Sequence, residues 1–189
     1  MDGIFSVFLL IAAVLPLSCA FILWSRRSGR ASISLSLLLF TAAMWAAVYA
    51  LTLTTPAVIQ PEDWRIIEIC LSAVLMALWM TSVLESLPAF RSFPRWAAVL
   101  ILAEAPLLIL LALTNPLHGL IWKNSGAAAG FGTFYWFHLV FVHLTTAGGI
   151  VLLISDPALN RSTGLKRLFL SIACILVPGF YSFLLLTGM

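Results

Sequence analysis

The chain has 189 residues, 62% hydrophobic and 9% charged, with a mean hydropathy of +1.11. Soluble domains carry roughly 25% charged residues, so this chain cannot clothe its own surface with polar groups, and a soluble enzyme is excluded. Its formal charge of +3 comes from basic residues in short loops beside apolar runs, where topology and anionic headgroups account for them without a nucleic-acid partner.

Crossing the hydrocarbon core as a helix takes about 20 apolar residues. The first such run, Gly3–Trp24, exceeds the signal-peptide core of about 7–15 residues. Its arginines follow it rather than precede it, so it is expected to be an uncleaved first span with the N-terminus outside. The second run, Ala31–Leu53, carries Ala42, Ala46 and Ala50 four apart, with Ala43 and Ala47 beside them. Small residues in such rows let membrane helices approach closely, which predicts a helix–helix seam. The third run, Ile66–Leu84, is bordered by Glu68 and Glu85, acids placed to reach the interface. The fourth, Trp96–Leu113, holds Glu104 near its middle, two residues before Pro106.

A longer connection follows. Its glycine- and alanine-rich part, Ser125–Gly132, lacks the lysine and hydroxyl of a phosphate-binding loop and is expected to be flexible. The fifth run, Phe134–Ile154, displays Phe134, His138, Phe141, Thr145 and Gly148 as a stripe expected to face the bundle interior. Leu168–Leu186 is the sixth. Solid apolar runs exclude a porin-like barrel, whose strands alternate polar and apolar residues. The expectation is a single all-α domain over residues 1–189, a polytopic membrane helical bundle of about six transmembrane helices with no internal repeat.

Tryptophans and prolines punctuate these runs. Trp24, Trp64, Trp96, Trp122 and Trp136 fall at or near helix boundaries, where indole rings favour the headgroup layer; Trp45 and Trp79 lie deeper and read as packing residues. Pro16, Pro106 and Pro178 sit inside the runs, where each removes a backbone hydrogen bond and permits a kink.

The basic residues set the orientation. Arg26, Arg27 and Arg30 follow the first run, Arg91 and Arg95 the third, and Arg161, Lys166 and Arg167 the fifth, while the intervening loops hold only Arg65 and Lys123. Lysine and arginine accumulate on the cytoplasmic side, so these turns are expected in the cytosol and the Lys123 loop outside, in a multi-pass protein of the cytoplasmic membrane.

An ionisable side chain inside a membrane helix is costly and therefore a functional candidate. Glu104 is the clearest, as a proton site, a counter-charge for a ligand, or a protonated carboxyl bonded to a neighbouring helix. His118 lies in the loop, His138 begins the fifth run, and His143 follows five residues later. At about 100° per residue those two histidines stand roughly 140° apart, too far round the helix to share one metal. Cys19, Cys70 and Cys174 are widely separated and lack metal-ligand spacing. Neither a metal nor another cofactor is expected.

The loop and fifth run carry a resemblance. Thr114-Asn115-Pro116-Leu117-His118, with Trp122 following, is similar to the TNPLH segment of the N-terminal seven-transmembrane region of bacterial and archaeal histidine kinases. The aromatic-rich helix start with a histidine that follows it in that family is matched by Phe134-Tyr135-Trp136-Phe137-His138, and Trp45-Ala46-Ala47-Val48-Tyr49-Ala50-Leu51 also fits the family's pattern. The resemblance runs from about residue 5 to the end. It implies a sensory input module, non-enzymatic in itself, that precedes cytoplasmic signalling domains and works as a homodimer. The matched positions are Asn115, Pro116, His118 and His138.

The family has seven helices where about six are read here, so the chain resembles a truncated or reduced version, without phosphoacceptor or ATP-binding region. The expected function is detection of an external or membrane-borne stimulus, with a small-molecule or lipid-like ligand received at Asn115, His118, Trp122, His138 and Glu104. A small transporter using Glu104 is an alternative, weakened by the absence of paired repeats. An integral-membrane enzyme or haem protein is a second alternative.

Overall fold

A computed structural model describes residues 2–26, 30–54, 61–87, 95–123 and 130–155, and these are helical apart from short connections. The helices are α1 (Asp2–Ser25), α2 (Arg30–Thr54), α3 (Pro61–Ser86), α4 (Arg95–Leu113), the single turn α5 (Asn115–His118) and α6 (Thr133–Ser155). In lipid every backbone amide must find its partner within the chain, and uninterrupted leucine- and alanine-rich runs do this as helices. Pro16 and Pro106 lie within α1 and α4 without ending either helix. α1, α2, α3 and α6 each contain a stretch long and apolar enough to cross a membrane.

The bundle is organised around α3, which packs against α2, α4 and α6, while α1 packs on α2. The register follows from individual contacts. Ser34 near the start of α2 meets Glu85 near the end of α3, its hydroxyl donating to the carboxylate at 2.6 Å, so these helices are antiparallel. Met76 meets Thr146 and Trp79 meets Gly149, so α3 and α6 run in parallel. One end of the bundle therefore carries the α1–α2 turn with Arg26 and the start of α4 at Arg95; the other carries the α4–α6 loop. We call these the basic end and the loop end.

The alanine seam of α2 is present, with its centre shifted slightly. Ala43, Ala46 and Ala50 are buried, Ala43 and Ala46 packing with Ala13 of α1, while Ala42 borders the cluster formed with α3. Trp45 and Trp79 are buried, and Trp24, Trp96 and Trp136 are exposed at helix ends, as the boundary reading expects. Around the bundle, Phe8, Leu15 and Phe21 of α1, Leu100 and Leu110 of α4, and Leu144 and Val151 of α6 point outward. Such a surface suits a membrane-embedded bundle.

Two expectations need revision. The expected stripe of α6 holds at buried His138 and at partly buried Phe134, Phe141 and Thr145, and fails at its last member, Gly148. Gly148 is exposed, and the buried positions are His138, Leu139, Gly149 and Leu153. Contact with α3 is set by Gly149, because a Cβ there would stand 2.9 Å from Trp79 Nε1. Trp122 is not a headgroup residue but 5% exposed inside a core cluster. The fourth run lies within α4, Arg95–Leu113, which rises about 28 Å at 1.5 Å per residue, close to the hydrocarbon thickness of about 30 Å. The sixth run, Leu168–Leu186, with Cys174, Pro178 and the basic residues from Arg161 to Arg167, lies outside the described residues.

Candidate functional site

Asn115 builds the loop end. It is wholly buried, at 0% exposure, and its amide group holds the chain that returns over the helices. The Asn115 Nδ2 group donates to the Trp122 carbonyl at 3.0 Å. Its Oδ1 accepts from the amides of Ile121 at 2.9 Å and Trp122 at 3.2 Å. Pro116, in the first turn of α5, brings the fixed φ that suits a helix start. Gly119 closes α5 in the left-handed region, at φ 64°, where glycine carries no steric penalty.

The loop then folds into a small hairpin. The Lys123 amide donates to the Gly130 carbonyl at 2.9 Å and the Gly132 amide to the Ile121 carbonyl at 2.7 Å. Trp122 and Phe131 form an antiparallel bridge. The Phe134 amide in the first turn of α6 donates to the Leu120 carbonyl at 2.9 Å. Gly132 is required here, since a Cβ would overlap the Leu120 carbonyl. This end of the glycine-rich stretch is thus tightly fitted, contrary to the expectation of flexibility; residues 124–129 lie outside the described residues.

Ile121 and Trp122 drive into the bundle. They pack with Ala73 of α3 and with Ala105, Leu108 and Ala112 of α4, bordered by Ile66, Ile69 and Phe134. The result is an apolar roof over the loop end, its position fixed by one asparagine.

Beneath it lies a buried polar cluster. Glu104 Oε1 and His138 Nδ1 are 2.6 Å apart, with exposures of 7% and 6%. Ser72 Oγ stands 3.5 Å from His138 Nε2 and donates its proton to the Ile69 carbonyl at 2.8 Å. The 2.6 Å separation requires a hydrogen shared between Nδ1 and Oε1, so each group gives the other the polar partner that burial demands. The cluster ties α4 to α6 across α3, and separating it would strand a polar group in hydrocarbon.

The expected site residues therefore divide into two layers. Glu104 and His138 meet directly, which the spacing argument about the histidines did not reveal. Asn115 and Trp122 form the roof. His118 is exposed and engages Thr114 and Leu120 rather than His138. His143 is exposed on another side of α6, its Nδ1 2.7 Å from the Leu139 carbonyl. Among the described residues no group of three or more His, Cys, Asp or Glu side chains is placed to hold a metal ion.

Ser72 was missed by sequence reasoning, because serine in a membrane helix usually bonds back to its own backbone. A depth comparison could have found the pairing. Glu104 lies about 13 Å below the end of α4 and His138 about 8 Å below the start of α6, close enough for two long side chains.

Residues 8–189 match the family described as the N-terminal 7TM region of histidine kinase. Comparison with curated proteins and with solved structures gave no match.

Proposed function

Since the chain belongs to the family of N-terminal 7TM regions of histidine kinases, we propose that it is the sensory input module of such a kinase. Its stimulus, external or membrane-borne, is received at the loop end. The orientation in this reading follows the basic residues: the basic end lies in the cytosol, the loop end outside. A small-molecule or lipid-like ligand acts on the loop at Asn115, His118 and Trp122, and on the Glu104–His138 pair below it. Cytoplasmic signalling domains, in a homodimer, take up the resulting helix movement. The catalytic step belongs to those domains and not to this bundle.

The observation that carries this reading is the stacking of the two layers. The Ile121–Trp122 roof packs on α3 and α4 immediately above the side chains that join α4 to α6. A ligand can shift a two-state equilibrium only by its difference in affinity for the two states. A roof that grips the helices in one arrangement and releases them in another provides that difference.

The test is a double substitution, Asn115→Ala with His118→Ala, in a full-length kinase carrying this region. Removing the Asn115 amide leaves buried loop amides without an acceptor, at about 1–3 kcal/mol each. The expected result is normal membrane insertion with kinase output changed by about tenfold, the factor that corresponds to 1.4 kcal/mol. Unchanged output in a correctly inserted protein would remove the loop end from the sensing role.

A further inference from the structure

We infer that His118 is a proton-operated latch on the α4–α6 loop, closed while its imidazole is neutral and released when acid protonates Nδ1. The inference rests on the reading of the loop end as the receiving surface and names a regulation of that surface.

The protonation state follows from the partners. The Thr114 hydroxyl donates its one hydrogen to the Leu110 carbonyl at 2.8 Å. Toward His118 Nε2, 3.0 Å away, it can therefore only accept, so Nε2 bears a hydrogen. On the other side of the ring the Leu120 amide donates to Nδ1 at 3.0 Å, so Nδ1 offers a lone pair. Both nitrogens are committed and the ring is neutral. A proton added at Nδ1 would face the Leu120 N–H with a second N–H, turning an attraction into a repulsion.

The consequence does not stop at the ring. Leu120 holds His118 through its amide and the first turn of α6 through its carbonyl, which accepts from the Phe134 amide. The next residues, Ile121 and Trp122, are the roof. Displacing Leu120 therefore acts at once on the start of α6, four residues before His138, and on the plug between α3 and α4. His118 is itself exposed, so protons reach it from water without any opening of the bundle.

The sign is fixed by linkage: the closed loop binds fewer protons than the open one, so closure is favoured at high pH and lost as pH falls. Imidazole is the side chain whose ordinary titration lies between about pH 5 and 8. The direct partners of His118, Thr114 and Leu120, do not titrate, and the last turn of α4 presents leucine and alanine. Other titratable groups described at this end are Lys123 in the loop, Tyr135 in α6, Glu68 and Cys70 on α3, and the Glu104–His138 pair beneath the roof. His138 is the one competing imidazole, and the experiment has to separate it from His118.

Hydrogen–deuterium exchange of the whole chain in lipid nanodiscs, corrected for intrinsic exchange at each pH, reads the latch through residues 120–123 and 132–134. Protection there is expected to fall at least tenfold from pH 8 to pH 5 in the wild type and in His138→Gln. In His118→Gln, whose amide keeps a donor and an acceptor, the fall is expected to disappear. Equal wild-type protection at both pH values overturns the proposal, as does an undiminished fall in His118→Gln. Should glutamine fail to hold the loop closed at either pH, the His138→Gln arm decides: a fall that survives supports the latch, and one that vanishes overturns it. pH-independent protection, in a protein whose kinase output still responds to the Asn115 and His118 substitutions, removes the latch and leaves the sensory reading standing. A pH-dependent loop with unresponsive output does the reverse.

Discussion

Glu104 and His138 form a buried contact in which neither partner is readily changed alone. A buried pair is weak evidence for stability in itself, because an apolar pair of similar size often serves as well, but removing one partner alone is expensive. His138→Leu is therefore expected to destabilise the bundle by about 3–5 kcal/mol, and Glu104→Leu by a similar amount. The double replacement should recover most of that loss. Unfolding free energies of the four proteins in bicelles, arranged as a double-mutant cycle, measure the coupling, and additive losses would contradict the pairing. Composition alone singled out Glu104, since an acid in mid-span demands an explanation. It could not supply the partner, because no local pattern links residues 34 positions apart. The motif Asn115-Pro116-Leu117-His118 was legible as a special segment, yet only the folded loop reveals that Asn115 commits its amide to backbone groups while His118 stays open to water.

At the scale of elements, α3 is the axis, and its seam with α6 depends on a glycine whose role the helical stripe misplaced by one residue. The two adjacent glycines of α6 give a controlled comparison. A Cβ at Gly148 meets nothing within 4 Å, whereas at Gly149 it would press on the Trp79 ring. Gly149→Ala is thus expected to cost about 1–3 kcal/mol, the usual range for overpacking, and Gly148→Ala to be neutral or slightly stabilising because alanine favours helix. Thermal unfolding of both variants in nanodiscs checks this, and equal effects would contradict the assigned face. Trp79 Nε1 and Ser82 Oγ, both on α3, are buried without hydrogen-bond partners among the described residues. Periodicity places a residue on a helix to within about a turn's arc; it does not say which side of that arc a bulky neighbour will occupy. The hairpin at Gly130–Gly132 escaped for a related reason, since glycine marks both flexible chain and backbone approaching too closely for a Cβ.

For the molecule as a whole, the apolar runs were the strongest signal in the sequence, and α1, α2, α3 and α6 fall where those runs predict spans. Hydropathy reads them reliably because lipid leaves the backbone no alternative to helix. It says less about the loop end, where the single turn α5 follows α4 and Leu117 is the most exposed large hydrophobic residue described. The account depends most on which end of the bundle faces out, because a receiving roof must meet the stimulus and the basic turns must meet the cytosol. Single cysteines introduced by Lys123→Cys and Arg26→Cys, each with Cys19, Cys70 and Cys174 replaced, can be probed with a membrane-impermeant thiol reagent in cells with an intact cytoplasmic membrane. The account predicts labelling of the position-123 variant in intact cells and of the position-26 variant only after permeabilisation; the opposite pattern would contradict it.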